Sequence, residues 1–486
     1  MTAVGTPPRD LLIDGELVGP SDGATLPVVD PSIGEVVREV WLGGPAEAEA
    51  AIAASRRAFD EGPWPHLPVA ERAAALHRLG DLIEADTGRF TDLVATEVGT
   101  PRLIAEAGQV RRPMDHYRDM IDRGARGLDR ELADLPGPPR SRQIIAREPR
   151  GVVSAITPWN APHLLNLWKV APGLVTGNTM VLKPSPEAPG CALLLGELAL
   201  EAGLPAGVLN VITGGGEVGR LMVGDPRVDM IAFTGSSGVG RGIAATAGGS
   251  LKHALLELGG KSALLALPDA DVPSMVAAAM RFVTLAGQGC GLLTRILVPD
   301  SLHDRVVAAF VAALGKVRVG SAHDPQTMMG PVISAGELGR IEASLADAVH
   351  EGASIAFGGK RPDVPGNGYF LEPTLLVDVR NDMTVAREEI FGPVISVIRY
   401  SGDPDEGVAL ANDSEYGLVG AVWTRDVDLG VRLARRIRAG QVRVNATAST
   451  TEGPFGGYKQ SGVGRECGDL GVAEYTEIKY LGWGDA

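Results

Sequence analysis

Residues 208–240 read VLNVITGGGEVGRLMVGDPRVDMIAFTGSSGVG. Two apolar runs, VLNVITG and DMIAFTG, each end in a glycine turn, and each turn opens a segment with helical spacing. Upstream, VVSAIT (152–157) and TMVLKPS (179–185) have the same unbroken apolar texture, and the helical CALLLGELALEAG (191–203) follows the second. Strands buried on both faces need continuous apolar runs, and strands alternating with helices at this spacing predict a parallel, doubly wound sheet. A second series begins near Ser262 with SALLAL, RILVP, ISVIRY, GAVWT and QVRVN, which predicts a second α/β domain.

Working outward, LLIDGELVGP (11–20) reads as a hairpin, because Asp14-Gly15 separates two alternating runs. From Pro45 to about Glu106 the pattern is helical, with Leu76, Leu79 and Ile83 on one face. RQIIAREPRG (142–151) and AEYTEIKYLGW (473–483) alternate like edge strands. Unpaired edges invite pairing with another chain, so pairing of subunits is expected.

The bulk numbers set the class. With 486 residues, two or three domains with sizeable cores are expected. A formal net charge of -15, with no long Lys/Arg block, argues against a nucleic-acid partner. Cys191, Cys290 and Cys467 lie far apart and odd in number, which argues against a disulfide framework and against a zinc site. No metal is expected. The first residues carry no secretory pattern and the apolar runs are short, so a cytoplasmic protein without a membrane span is expected.

Five places carry potential chemistry. In LAGQGCGLLT (285–294), Cys290 stands among Gly287, Gly289 and Gly291. A free cysteine is often an inert small hydrophobe; flanking glycines equally suit a nucleophile that a ligand approaches closely. In AITPWNAP (155–162), Asn160 follows a strand end between two prolines. It is either a turn residue or a rigidly held oxyanion donor. Lys183 leaves its strand at the carboxyl end, where open α/β sheets bind ligands, or is a solvated loop lysine. Gly214-x-Gly216-x-x-Gly219 fits a dinucleotide fingerprint, and GSSGVG at 235–240 is a second turn of the same kind. Glu257, in LLELGGKSA, is a carboxylate in an apolar run: a base with raised pKa, or a paired glutamate.

Taken together, TPWN, VLKPS, FTGS, ELGGKS, GQGC, EEIFGPV and PFGGYKQSGVGRE, in this order from about residue 10 to 480, resemble the aldehyde dehydrogenase superfamily of the NAD(P)-dependent, hydrolytic type. The resemblance implies a Rossmann-like cofactor domain (1–125 and 150–258), an α/β catalytic domain (259–465) and a small bridging, oligomerising β element (126–149 and 466–486). It implies that the Cys290 thiolate attacks an aldehyde carbon to give a thiohemiacetal, that oxidation against the nicotinamide gives a thioester, and that water releases the acid. Asn160 would hold the oxyanion, Glu257 would be the general base, and Lys169 with Glu466 would form a proton-release path. Ile156, Trp159, Lys183, Ser185, Gly219, Gly235, Ser236, Gly240, Leu258, Glu389 and Phe391 would line the cofactor.

The sequence departs from many NAD-selective relatives at Pro186 and Gly238, where they carry glutamate, so NADP use is expected beside NAD. The substrate funnel implied by the resemblance comprises Ala161, Leu164, Leu165, Trp168, Gly289, Gly291 and Phe455, none of them charged. An uncharged funnel favours a neutral, hydrophobic aldehyde. A semialdehyde would need a cation for its far carboxylate, and betaine aldehyde would need an aromatic cage. The rival readings are those two substrates, a CoA-acylating relative, which generally lacks the Glu257 equivalent, and a non-catalytic relative of the same fold.

Overall fold

The structure, a computed structural model, describes residues 9–133, 141–446 and 450–484. Every residue nominated above for the site lies among them.

Two parallel-centred sheets organise the chain. In the first, the strands Leu209–Val211, Thr179–Lys183, Val152–Ile156, Met230–Thr234 and His253–Glu257 lie side by side in that order and all run parallel. The expected hairpin, Leu11–Ile13 with Glu16–Val18, extends one edge, and its Asp14-Gly15 turn has both residues at positive φ, as a two-residue turn between twisted strands requires. The short strand Gly462–Val463 closes the other edge. That strand belongs to the first sheet, although it falls within the 259–465 segment assigned by sequence to the catalytic unit.

The second sheet runs Ser354–Phe357, Thr374–Val379, Val394–Tyr400, Leu293–Pro299, Ser262–Ala266, Val419–Trp423, Gln441–Val444. All neighbouring pairs are parallel except the first. Helices cover both sheets, and the central strands of each are buried on both faces, as their unbroken apolar runs require. The helices Pro45–Asp60, Val69–Ala85 and Thr87–Val98 account for the N-terminal helical pattern, with Leu76, Leu79 and Ile83 fully buried. Ser141–Pro149 and Thr476–Gly484, read as edge strands, pair with each other antiparallel over nine residues. No helix among the described residues is long and apolar enough to cross a membrane.

A buried ion pair ties the C-terminal segment to the first sheet. Lys169, on the helix Pro162–Val175, is fully buried; its Nζ lies 2.6 Å from Glu466 Oε1 and donates to Thr234 Oγ1 at 2.8 Å. Removing one partner of such a pair strands a charge in a dry interior. Glu466→Leu is therefore expected to lower unfolding stability by about 3–5 kcal/mol, measured by denaturant titration. An unchanged midpoint would mean that the pair does not fasten this segment.

Candidate active site

Among the parallel strands of the first sheet the chain starts at Val152–Ile156, winds outward through two strands on one side, then returns to Met230–Thr234 on the other. The connections therefore leave the carboxyl ends of these two neighbours in opposite directions, which opens a crevice between them. A cavity of about 280 Å³ occupies that crevice, lined by Trp159, Asn160, Gly235, Ser236, Leu258, Cys290, Glu389 and Phe391, all nominated from sequence. Glu337 and Arg340 also line it and were not nominated.

The remaining cofactor candidates adjoin this crevice. A Cβ on Gly219 would stand 3.6 Å from Lys183 Cε and 3.9 Å from Ile156 Cδ1, so these three residues share one patch of wall. Gly240 packs under Leu258, whose Cδ2 would lie 2.4 Å from an added Cβ. Ser236 caps the helix Ser237–Gly249, whose N-terminal N–H groups suit an anion. Phe391 holds the left-handed conformation (φ 51°), unfavourable for a non-glycine residue, and its ring meets Trp159 edge-on at 5.4 Å. Glu389 accepts a hydrogen bond from Gly260 N at 2.9 Å, and burial pushes its carboxyl up to about 7.

Lys183 is buried, which lowers its ammonium to about 8. It donates to Pro184 O and Gly214 O, leaving one N–H for a ligand. Ser185 hydrogen-bonds the Glu187 carboxylate. Glu187, one position after Pro186, thus returns a carboxylate to Ser185, and its charge is felt at Lys183.

Cys290 is half-buried in the connection between the turn Met280–Leu285 and the strand Leu293–Pro299. Burial, then the carboxylates of Glu389, Glu257 and Glu466, push its thiol up to about 12. Its glycines do not all clear room for ligands, contrary to the expectation. A Cβ on Gly287 (φ 74°) would fall 1.7 Å from Gly392 O, and one on Gly289 would fall 3.0 Å from the Leu292 side chain. These two glycines let the cysteine loop pack against protein; Gly289 faces a small crevice beside Lys261 and Glu389 instead of an aldehyde funnel.

Asn160 is buried, and its Nδ2 donates to Gln288 O at 2.9 Å, which aims the amide at the cysteine loop. Its second N–H is left for a carbonyl oxygen at Cys290. Glu257 ends the strand His253–Glu257, and both carboxylate oxygens are buried without a hydrogen-bond partner among the described residues. Desolvation, reinforced by Glu466, raises its pKa well above the usual carboxylate range, against the attraction of Lys169. An unsatisfied carboxyl whose charge is felt at the thiol can take a proton from it through a water, or from that water itself.

A second cavity, of about 250 Å³, lies on the other side of the cysteine loop, with Gly291 in its wall. Consecutive residues, Cys290 and Gly291, thus line the two cavities. Of the other predicted funnel residues, Leu164 and Trp168 line it. Ala161 and Leu165 are buried in the core, and Phe455 packs on Trp168 with ring centroids 5.3 Å apart. The wall is not the uncharged funnel expected from sequence, since Arg112, His116, Arg281 and Arg443 all contribute to it. One signal was available for Arg443: in QVRV, Val442 and Val444 pack against the core, so alternation turns Arg443 to the opposite face. Arg112 and Arg281 had none. No group of three or more metal-ligating side chains occurs among the described residues.

The profile of the Aldehyde dehydrogenase family matches residues 18–481. The chain is 38% identical over 480 residues to a betaine aldehyde dehydrogenase of Bacillus subtilis, covering 97% of each chain. It superposes on an aldehyde dehydrogenase of Mycobacterium tuberculosis complexed with NAD+ at TM-score 0.94, with 41% identity over 98% of each chain. A betaine aldehyde dehydrogenase of Staphylococcus aureus complexed with NAD+ also matches at TM-score 0.94, with 35% identity over 99% of this chain and 95% of that one. With the strand order, the crevice and the cysteine loop in agreement with these matches, the chain belongs to the aldehyde dehydrogenase family.

Proposed function

We propose that the protein oxidises an aldehyde to its carboxylic acid with NAD+, through a covalent adduct on Cys290. The observation that carries this reading is the junction of two cavities at one thiol, with Asn160 in the same wall and the charge of Glu257 felt at the thiol. The dinucleotide fits the crevice: Lys183 keeps one free donor, Ser236 heads a helix, and Trp159, Glu389 and Phe391 form a half-apolar wall for a ring and a ribose. When bound, it supplies the acceptor for the hydrogen and electron pair leaving the aldehyde carbon.

The chain's own residues account for the rest. The Cys290 thiol, held neutral by burial and three carboxylates, must lose its proton before it can attack, and Glu257 is the base placed to receive it. Attack forms a C–S bond and moves the carbonyl electron pair onto oxygen, where the free N–H of Asn160 and the backbone N–H of Cys290 receive it. After oxidation to the thioester, Glu257 takes a proton from water; attack by that water breaks the C–S bond and frees the acid. Lys169 and Glu466, buried behind Glu257, offer a relay for the released proton.

The exposed side chains Ile478, Tyr480 and Trp483 on the edge strand Thr476–Gly484 support assembly into a homodimer or homotetramer through this strand.

Cys290→Ala is expected to reduce NADH formation to background while NAD still quenches tryptophan fluorescence; a variant that keeps turnover would remove Cys290 as the nucleophile. Because the Glu257 pKa is raised, its base form grows as pH rises, so acyl release in the wild type should accelerate with pH. A flat profile would exclude this base. Glu187→Ala removes the carboxylate at Ser185 and should raise NADP efficiency relative to NAD by about tenfold; an unchanged ratio would place the adenine ribose elsewhere. Light scattering should give a multiple of the 50.6 kDa chain, and Tyr480→Lys with Trp483→Lys should shift it toward monomer. A monomeric wild type at micromolar concentration would refute the assembly.

A further inference from the structure

Three guanidiniums reach the cavity beyond Cys290 from three distant parts of the chain. Arg112 opens the helix Arg112–Ala125, Arg281 lies in the turn Met280–Leu285, and Arg443 sits on the edge strand Gln441–Val444. The described wall residues include no carboxylate. Arg112 and Arg281 form no ion pair among the described residues. The cations also feel one another: burial, then Arg281 and Arg112, lower the pKa of Arg443, and Arg112 adds to burial in lowering that of His116. Three like charges gathered in one cavity repel, and no carboxylate stands among the described wall residues, although Asp119 and Asp115 on the His116 helix act on that imidazole.

Two further polar atoms await partners in the same wall. Trp168 Nε1 and His116 Nδ1 are buried and make no hydrogen bond among the described residues. Buried polar groups are rarely left unpaired, and binding sites are where the exceptions collect.

Resting on the proposed aldehyde oxidation, we propose that the aldehyde carries an oxyanion at its far end, a carboxylate or a phosphate, received by Arg112, Arg281 and Arg443. The aldehyde carbon would then lie at Cys290, past Gly291, with the anion among the guanidiniums. This reverses the neutral, hydrophobic substrate expected from sequence, whose premise was an uncharged funnel. It also sets the chain apart from relatives named for betaine aldehyde. A quaternary ammonium would meet three like charges, and Trp168 and Phe455 pack on each other without space for it between their rings.

The test is a panel scored by kcat/KM with NAD: succinic and adipic semialdehydes, the methyl ester of the latter, glyceraldehyde phosphate, hexanal and betaine aldehyde. At least one anionic aldehyde should exceed hexanal by about tenfold, mainly through a lower KM, and the advantage should shrink as salt is added. The winning arm distinguishes carboxylate from phosphate. Arg112→Gln and Arg281→Gln should each cut the anion-over-hexanal ratio by about tenfold, and the corresponding Lys variants should restore most of it. Because the readout is a ratio within one variant, a general loss of folded enzyme does not move it. Oxidation of hexanal or betaine aldehyde at equal or better efficiency than every anion would overturn this inference alone. Failure of the wild type to oxidise any aldehyde would overturn the proposed function with it.

Discussion

The site depends on one close approach. The chain crosses from the first sheet to the second through Leu258-Gly259-Gly260-Lys261, and this crossing lies directly against the cysteine loop. A Cβ on Gly260 would stand 2.3 Å from Cys290 O, and one on Gly259 would stand 2.4 Å from Glu389 Oε2. Only glycine fits either position without displacing the Cys290 backbone or the Glu389 carboxylate. The carboxyl ends of one sheet and the amino end of a central strand in the other are thereby held edge to edge, with Glu257 immediately before the crossing and Cys290 pressed on it.

That seam also separates two electrostatic environments. The crevice wall holds Glu337 and Glu389 with Arg340, and burial raises the Glu389 pKa as it does that of Glu257. On the far side stand three guanidiniums. The molecule as a whole carries a formal charge of -15, so a distant anion gains nothing from the net field. A local cluster of cations in a cleft can still concentrate an anionic ligand at short range, because the low-dielectric walls focus its field. The acid produced by the reaction would carry one more negative charge than the aldehyde, and it would form at the end of the cavity near the carboxylates, which favours its departure.

Much of this was legible before any coordinates. Unbroken apolar runs marked the central strands, because strands buried on both faces leave no position for alternation. The glycine turn after DMIAFT marked one wall of the crevice, since it ends the strand that pairs with Val152–Ile156, and the turn after VLNVIT ends a strand two places further out in the same sheet. Cys290, Asn160 and Glu257 stood in distinctive strings and come together. What escaped the sequence depended on packing between distant segments. Arg112, Arg281 and Arg443 share a cavity only because a helix, a turn and an edge strand converge, and only Arg443 had a local periodicity to reveal it. Gly289 looked like open space for a ligand, but Leu292, three residues on, fills that space. Pro186 stands where many relatives carry an acid, and the return of Glu187 to Ser185 depends on the turn's conformation, which no local pattern encodes.

The most direct measurement of the account is the intact mass of Glu257→Gln after mixing with an aldehyde and NAD. Losing a general base costs about 10²–10⁴-fold, so release of the acid should become slow enough to follow. The account predicts that the protein gains the mass of one acyl group, and that peptide mapping places it on Cys290. A variant that turns over at the wild-type rate, or that accumulates an acyl group on any other residue, would contradict it.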